Sequence, residues 1–268
     1  MTTANSSTRP SPKTQLKVTQ VRVIQSEWIK FWSLRSTVIT LAIGTALLIC
    51  VGLITASVTR SGGRVGDDSL GAADASLGGV MFAQLAFGTL GILIIASEYS
   101  TGMIRSSLTA VPRRLPVLWG KLAVFTTVGF AASLAGTAIA FTAGQAIIGN
   151  GAASWSDPGV ARAIIGTAAV LTTSGLLGLA LGVLLRSTAA SITTLFGTMF
   201  LLDNIVGLMI PDSWNGALKY FPGAASNAAA AVIQAPDALG PWPGLAVFTG
   251  YAALVAAGAA WRLKRTDA

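Results

Sequence analysis

The stretch Val38–Val58, VITLAIGTALLICVGLITASV, decides the fold. It carries no charge from end to end and is bounded by Arg35 and Arg60. A bilayer core of about 30 Å is crossed by ~20 mostly apolar residues in an α-helix. No lipid-exposed backbone polar group can go unpaired, so a spanning segment is a helix or part of a closed barrel. Barrel strands alternate apolar and polar residues over ~10 positions. This tract is continuous and about twice that long, so it is a helix.

Working outward, five more tracts of the same kind follow. They run over about 77–97, 119–148, 163–185, 189–210 and 245–261. The second lies between Asp74 and Glu98. The third follows Lys121 and is expected to end at the turn signal Gly149-Asn150-Gly151. The fourth lies between Arg162 and Arg186, and Pro211 stops the fifth. The sixth precedes Arg262, Lys264 and Arg265. The expected fold class is all-α, a polytopic integral membrane protein with six transmembrane helices.

Composition agrees. The 268 residues are 53% hydrophobic and only 10% charged, against roughly 25% charge in a soluble domain. Mean hydropathy is +0.68. The net charge of +8 and pI near 10.3 could suggest a nucleic-acid partner, but the basic residues cluster at span ends, which argues for no nucleic acid. The single cysteine, Cys50, lies inside the first tract and reads as a small lipid- or core-facing residue. The absence of histidine removes Ser-His catalysis, His-ligated metals and His proton relays. No P-loop, GxGxxG, zinc-ligand spacing or nucleophile elbow occurs, so no catalytic, cofactor or metal residues are assigned.

Lysine and arginine placement sets the orientation. Arg9, Lys13, Lys17, Arg22, Lys30 and Arg35 precede the first span. Arg105, Arg113, Arg114 and Lys121 follow the second, Arg186 the fourth, and Arg262, Lys264 and Arg265 the sixth. The other side holds only Arg60, Arg64, Arg162 and Lys219, among six aspartates. Both termini are therefore expected in the cytoplasm, and the chain in the cell membrane. The first apolar tract begins behind a long basic segment, which is not the layout of a cleavable signal peptide. Residues 1–20 read as a disordered tail and 263–268 as a short cytoplasmic one, with the membrane domain over 38–262.

Four segments could carry function. In Val21–Ser36, VRVIQSEWIKFWSLRS, Val21, Ile24, Trp28 and Phe31 recur at helical spacing. Trp28 and Trp32 favour the headgroup level, with Lys30 and Arg35 nearby. The segment reads as an interfacial helix over 21–36 whose partner is membrane lipid. A plain anchor fits the same residues. The connection EYSTGMIRSSLTAVPRRLPVLWGK, residues 98–121, is the longest cytoplasmic one and suits either docking of a soluble partner or a solvated positive loop. The segment from Pro211 to Trp242 is rich in aromatics and contains an apolar run, Ala228 to Ile233, too short to span. Re-entrant or interfacial helices forming an external gate fit it, as does a loop anchored by its aromatics. Asp203 and Asn204 lie in the fifth span, where a buried acid is a pathway candidate. Gln84 and Gln145 are weaker candidates of that kind. Small residues recur every fourth position at Ala132, Gly136, Ala140 and Gly144, and at Ser174, Gly178 and Gly182. Such faces serve packing within one bundle or a dimer seam.

Two of these segments together resemble the membrane subunits of type 2 ABC exporters, particularly short actinobacterial permeases. Ser26-Glu27-Trp28-Ile29-Lys30 followed by Ser33-Leu34-Arg35-Ser36-Thr37 looks like the family's lead-in helix. Glu98, Gly102, Arg105, Leu108, Pro112, Arg113 and Lys121 look like its first cytoplasmic loop. One departure is Met103, where the family often has Thr. The resemblance covers nearly the whole chain from about residue 18. It implies a six-helix permease with two short re-entrant helices before the last span, dimeric with a second copy or a sister permease. It implies an ABC ATPase partner that holds ATP and Mg and seats on the loop through Glu98, Gly102, Arg105, Pro112 and Arg113, with Glu27, Trp28 and Lys30 on the interfacial helix. This chain would not itself be an enzyme. The residues also fit two other functions, an ion-coupled secondary carrier and a membrane partner protein without transport. The first would show coupling acids or broken helices in repeated halves, and only Asp203 qualifies as such an acid.

Overall fold

A computed structural model describes residues 19–62, 69–100, 115–209 and 212–265. Among them the chain is helical, with no strand. Six helices are long and apolar enough to cross a membrane: Arg35–Arg60, Gly71–Tyr99, Leu115–Ile148, Val160–Leu185, Thr188–Met209 and Pro241–Arg265.

The first helix, α1 (Gln20–Ser33), is amphipathic and precedes the spans. Leu34, extended at φ −88° and ψ 104°, separates it from the first span, α2 (Arg35–Arg60). The single non-helical residue lets α1 turn away from the span axis without leaving a long unpaired stretch. Its N–H still bonds back to the Lys30 carbonyl.

The second span is in two pieces, α3 (Ser69–Ser76) and α4 (Val80–Ser100), divided at Leu77–Gly79. The helical chain therefore begins upstream of Leu77, where the hydropathy pattern alone would start it. Gly79 at the break packs directly on the Leu48 carbonyl of α2, so a side chain there would strike backbone. The third span, α5 (Leu115–Ile148), ends where Gly149 and Gly151 take φ of 73° and 84°. These are left-handed values that glycine adopts without steric cost.

The fourth span, α6 (Val160–Leu185), is the central post: 78% of its most apolar window is buried, against 11% for the fifth. It packs closely on α4, with Gly91 against the Gly175 carbonyl and Gly178 against the Gly88 carbonyl. The small-residue faces are thus used inside the chain. Gly136 meets Thr45, Gly144 meets Ser76 and Gly182 meets Ile95. Close backbone approach of this kind is how helices associate where no hydrophobic effect separates protein from lipid.

Arg186, in a left-handed turn at φ 55°, connects to the fifth span. That span is α7 (Thr188–Phe196), a π-helical turn (Gly197–Leu201) and α8 (Leu202–Met209). A 3₁₀ segment (Asp212–Tyr220) then leads to α9 (Pro222–Ala230) and the last span, α10 (Pro241–Arg265). Although only nine residues long, α9 is mostly buried because its alanines and Gly223 let it pack among α6, α8 and α10.

The interior forms around Phe87, Phe125, Leu171 and Leu179 on one side and Ile92, Val170, Leu195 and Phe248 on the other. Large apolar residues such as Ile39, Ile43, Ile54, Ile205 and Leu254 face outward. A bilayer can solvate that surface.

Candidate functional site

At the α1 end of the bundle, three elements bring four charges together. The stripe of α1 that faces the bundle is Val23, Glu27 and Phe31, spaced by four. This corrects the face inferred from apolar spacing. Ile24 is only half-buried, and Val21 and Trp28 are exposed. The helix turns an acid inward because cations wait for it. Its indoles face outward, with Trp28 and Trp32 ring centroids 6.2 Å apart.

Lys121 is the hub. Its Nζ donates to Glu27 Oε2 at 2.6 Å and to Glu98 Oε1 at 2.6 Å. Lys30 Nζ donates to Glu27 Oε1 at 2.7 Å and reaches Glu98 Oε1 at 3.4 Å. The set is neutral, two carboxylates against two ammoniums. The side chains of Glu27, Glu98 and Lys121 are only 5%, 3% and 3% exposed, whereas Lys30 sits at the rim at 30%. Burial pulls the Lys30 ammonium down. The hydrogen bond and charge of Glu27, helped by Glu98, outweigh that, so Lys30 titrates above the usual lysine range.

The arrangement is costly to break. A buried ion pair gains little over a packed apolar pair, but removing one partner strands the other charge, at about 3–5 kcal/mol. Glu98 also sits in the last turn of α4, where the helix macrodipole disfavours an acid. Local helix stability therefore does not account for Glu98; Lys121 and Lys30 do. Its second oxygen, Oε2, is buried without a hydrogen-bond partner, and Glu98 helps line a small cleft with Phe31, Leu34, Thr37, Ile94 and Val124. Beside the junction, the Arg186 guanidinium stands 5.5 Å over the Tyr99 ring. That contact ties the turn between the fourth and fifth spans to the end of the second.

The junction unites Glu27, Lys30 and Glu98 from the sequence candidates. Trp28 is on the same helix but faces away. Gly102, Arg105, Pro112 and Arg113 lie outside the described residues. Lys121, the hub, entered the sequence argument only as a span boundary and loop residue. The signal available was a lone cation seven positions into an apolar helix with no acid within a turn of it.

Asp203 and Asn204 do not form one site. Asp203 Oδ2 accepts from the Ala224 N–H at 2.7 Å, capping the N-terminus of α9, and its Oδ1 has no partner. Asn204 is exposed and donates to the Phe200 carbonyl at 2.8 Å. The chain beyond the other end of α9 is clamped as well. Asp74 accepts from the N–H groups of Val232 and Ile233, and Arg162 donates to the carbonyls of Ala231 and Val232. Apolar spacing does not reveal this clamp. Its only sequence trace is a pair of opposite charges, each at a span end. Gln145 is structural: it donates to the Ala72 carbonyl and Ser76 Oγ and accepts from the Ala153 N–H. Gln84 is buried with an unpartnered Nε2.

Six apolar helices, one of them a buried central post, with a charged junction at one end, are the architecture of a multi-pass α-helical membrane protein. No protein-family model and no curated protein matches the chain.

Proposed function

We propose that this chain is the permease subunit of an ATP-driven exporter in the cell membrane, working with a separate ABC ATPase. The observation that carries the proposal is the junction at Lys121. Glu98 in the last turn of α4 and Lys121 in the second turn of α5 bracket the connection between these two spans, and the same ammonium holds Glu27 of α1. A force applied to that connection would reach the second span, the third span and α1 together. That is what a subunit driven from outside the membrane requires, and it supports the loop resemblance described above.

Under this reading both termini are cytoplasmic, following the lysine and arginine distribution. Helix α1 lies in the interface, with Val21, Trp28 and Trp32 exposed to headgroups beside its bundle-facing stripe. The 3₁₀ segment and α9 are the short re-entrant pieces, held by Asp203, Asp74 and Arg162 as an outer gate. The permease pairs with a second copy or a sister subunit. ATP and Mg bind to the ATPase, and hydrolysis happens there. An ion-coupled carrier is favoured less, because the buried carboxylates of the junction stand on α1 and in the last turn of α4 rather than at the helix interruptions at Leu77–Gly79 and Gly197–Leu201.

The test is co-purification in detergent with the ABC ATPase encoded beside this chain, comparing wild type with Arg105→Ala. A complex that forms with wild type and weakens in the variant supports the reading. A folded wild-type chain that holds no ATPase refutes it.

A further inference from the structure

We propose that the α1 end of the bundle is a binding belt for anionic phospholipid headgroups, with Arg35 beside Trp32 and Lys264–Arg265 beside Trp261 as its two cationic stations. The inference needs only that the chain sits in a bilayer and does not rest on the exporter reading.

The belt follows from what the junction does to the surface charge. Among the described residues the only carboxylates at this end are Glu27 and Glu98, and both are buried and neutralised by Lys121 and Lys30. Among the described residues, the charges left facing outward at this end are therefore of one sign. Arg35, Lys264 and Arg265 are all exposed. An isolated positive surface would fit any polyanion, but these cations stand among exposed indoles. Trp28, Trp32, Trp119 and Trp261 are each about half exposed, on three different helices of this end. Indole rings favour the level where acyl chain meets headgroup. The Arg265 guanidinium rests 4.5 Å over the Trp261 ring, which holds a cation at that level. Trp32 and Arg35 flank the break at Leu34, so an indole and a guanidinium share the corner between α1 and the first span. A zwitterionic headgroup meets this surface with no net charge. A headgroup carrying a net negative charge satisfies it, at roughly a fivefold gain in affinity per basic residue.

The full chain is reconstituted in phosphatidylcholine vesicles containing a small fraction of brominated phosphatidylglycerol or, in parallel, brominated phosphatidylcholine. Tryptophan quenching gives the relative association constant of each lipid. Wild type is expected to prefer phosphatidylglycerol, and Arg35→Gln/Lys264→Gln/Arg265→Gln to lose that preference. If the triple variant fails to reconstitute, wild type in about 1 M salt takes its place, where the screening length is ~3 Å. Exposed contacts screened in this way should then lose the preference. Equal constants for the two lipids in wild type overturn the proposal. So does a preference that survives the triple substitution or, where that fails to reconstitute, the salt.

Discussion

Lys121 Nζ lies 2.6 Å from Glu98 Oε1, joining residues 23 apart in sequence at the mouth of one connection between two spans. The same nitrogen is 2.6 Å from Glu27 Oε2, 94 residues away. One ammonium thus fixes the ends of two spanning helices and the helix that precedes them all.

Lys121→Met should leave two buried carboxylates sharing the single ammonium of Lys30, with one negative charge uncompensated. Thermal unfolding in detergent should report a loss of about 3–5 kcal/mol. Adding Glu98→Gln to that variant should recover part of the loss, because one stranded charge is removed. The cycle of single and double variants should show a coupling of about 0.5–3 kcal/mol. Strict additivity would mean that the two side chains do not interact.

Lys30 titrates above its ordinary value when folded, so the stability it contributes is complete below the unfolded lysine pKa of about 10.4. That contribution disappears as pH rises through the higher folded value. Between pH 9 and 12, wild type should therefore lose more stability than Lys30→Met. Because Lys30 is partly exposed, the difference is small and needs the two proteins side by side.

Asp203→Ala should uncap α9 at a cost of about 1 kcal/mol. Asp203→Asn retains an acceptor for the Ala224 N–H and should lose less. Amide exchange at residues 223–226 should quicken in the alanine variant and far less in the asparagine one.

Gly175→Ala should damage the seam between α4 and α6. Its new methyl group would meet the Phe125 ring, and the seam is already at backbone contact on its other side, where Gly91 packs on the Gly175 carbonyl. Overpacking costs about 1–3 kcal/mol. The same substitution at Gly197 or Gly250 has open space before it and should be nearly silent in the same unfolding assay.

Six spans are legible in the sequence because hydropathy needs only local information, and the bilayer sets their length. The break at Leu77–Gly79 and the π-helical turn at Gly197–Leu201 are not legible, since uncharged residues read the same whether a helix is continuous or interrupted. Three of the four residues of the junction, Glu27, Lys30 and Glu98, stand out in the sequence. Its geometry was hidden for a physical reason: a search for apolar spacing treats Glu27 as a polar residue and turns it outward. Only a partner on another helix, far along the chain, makes the inward rotamer stable. Asp203 stood out as a membrane acid, but its bond to the Ala224 N–H depends on where α9 comes to rest.

The central claim is that the junction passes force between a partner on the 98–121 connection and the spans. Glu27 tests it best, because it is buried on α1 and is not part of that connection. The measurement is the affinity of the purified ABC ATPase for the reconstituted chain, wild type against Glu27→Gln, at a temperature where both remain folded. The account predicts tight binding by wild type and binding weakened about tenfold or more in the variant, the equivalent of 1.4 kcal/mol. Equal affinities, or no binding by a folded wild-type chain, would contradict it.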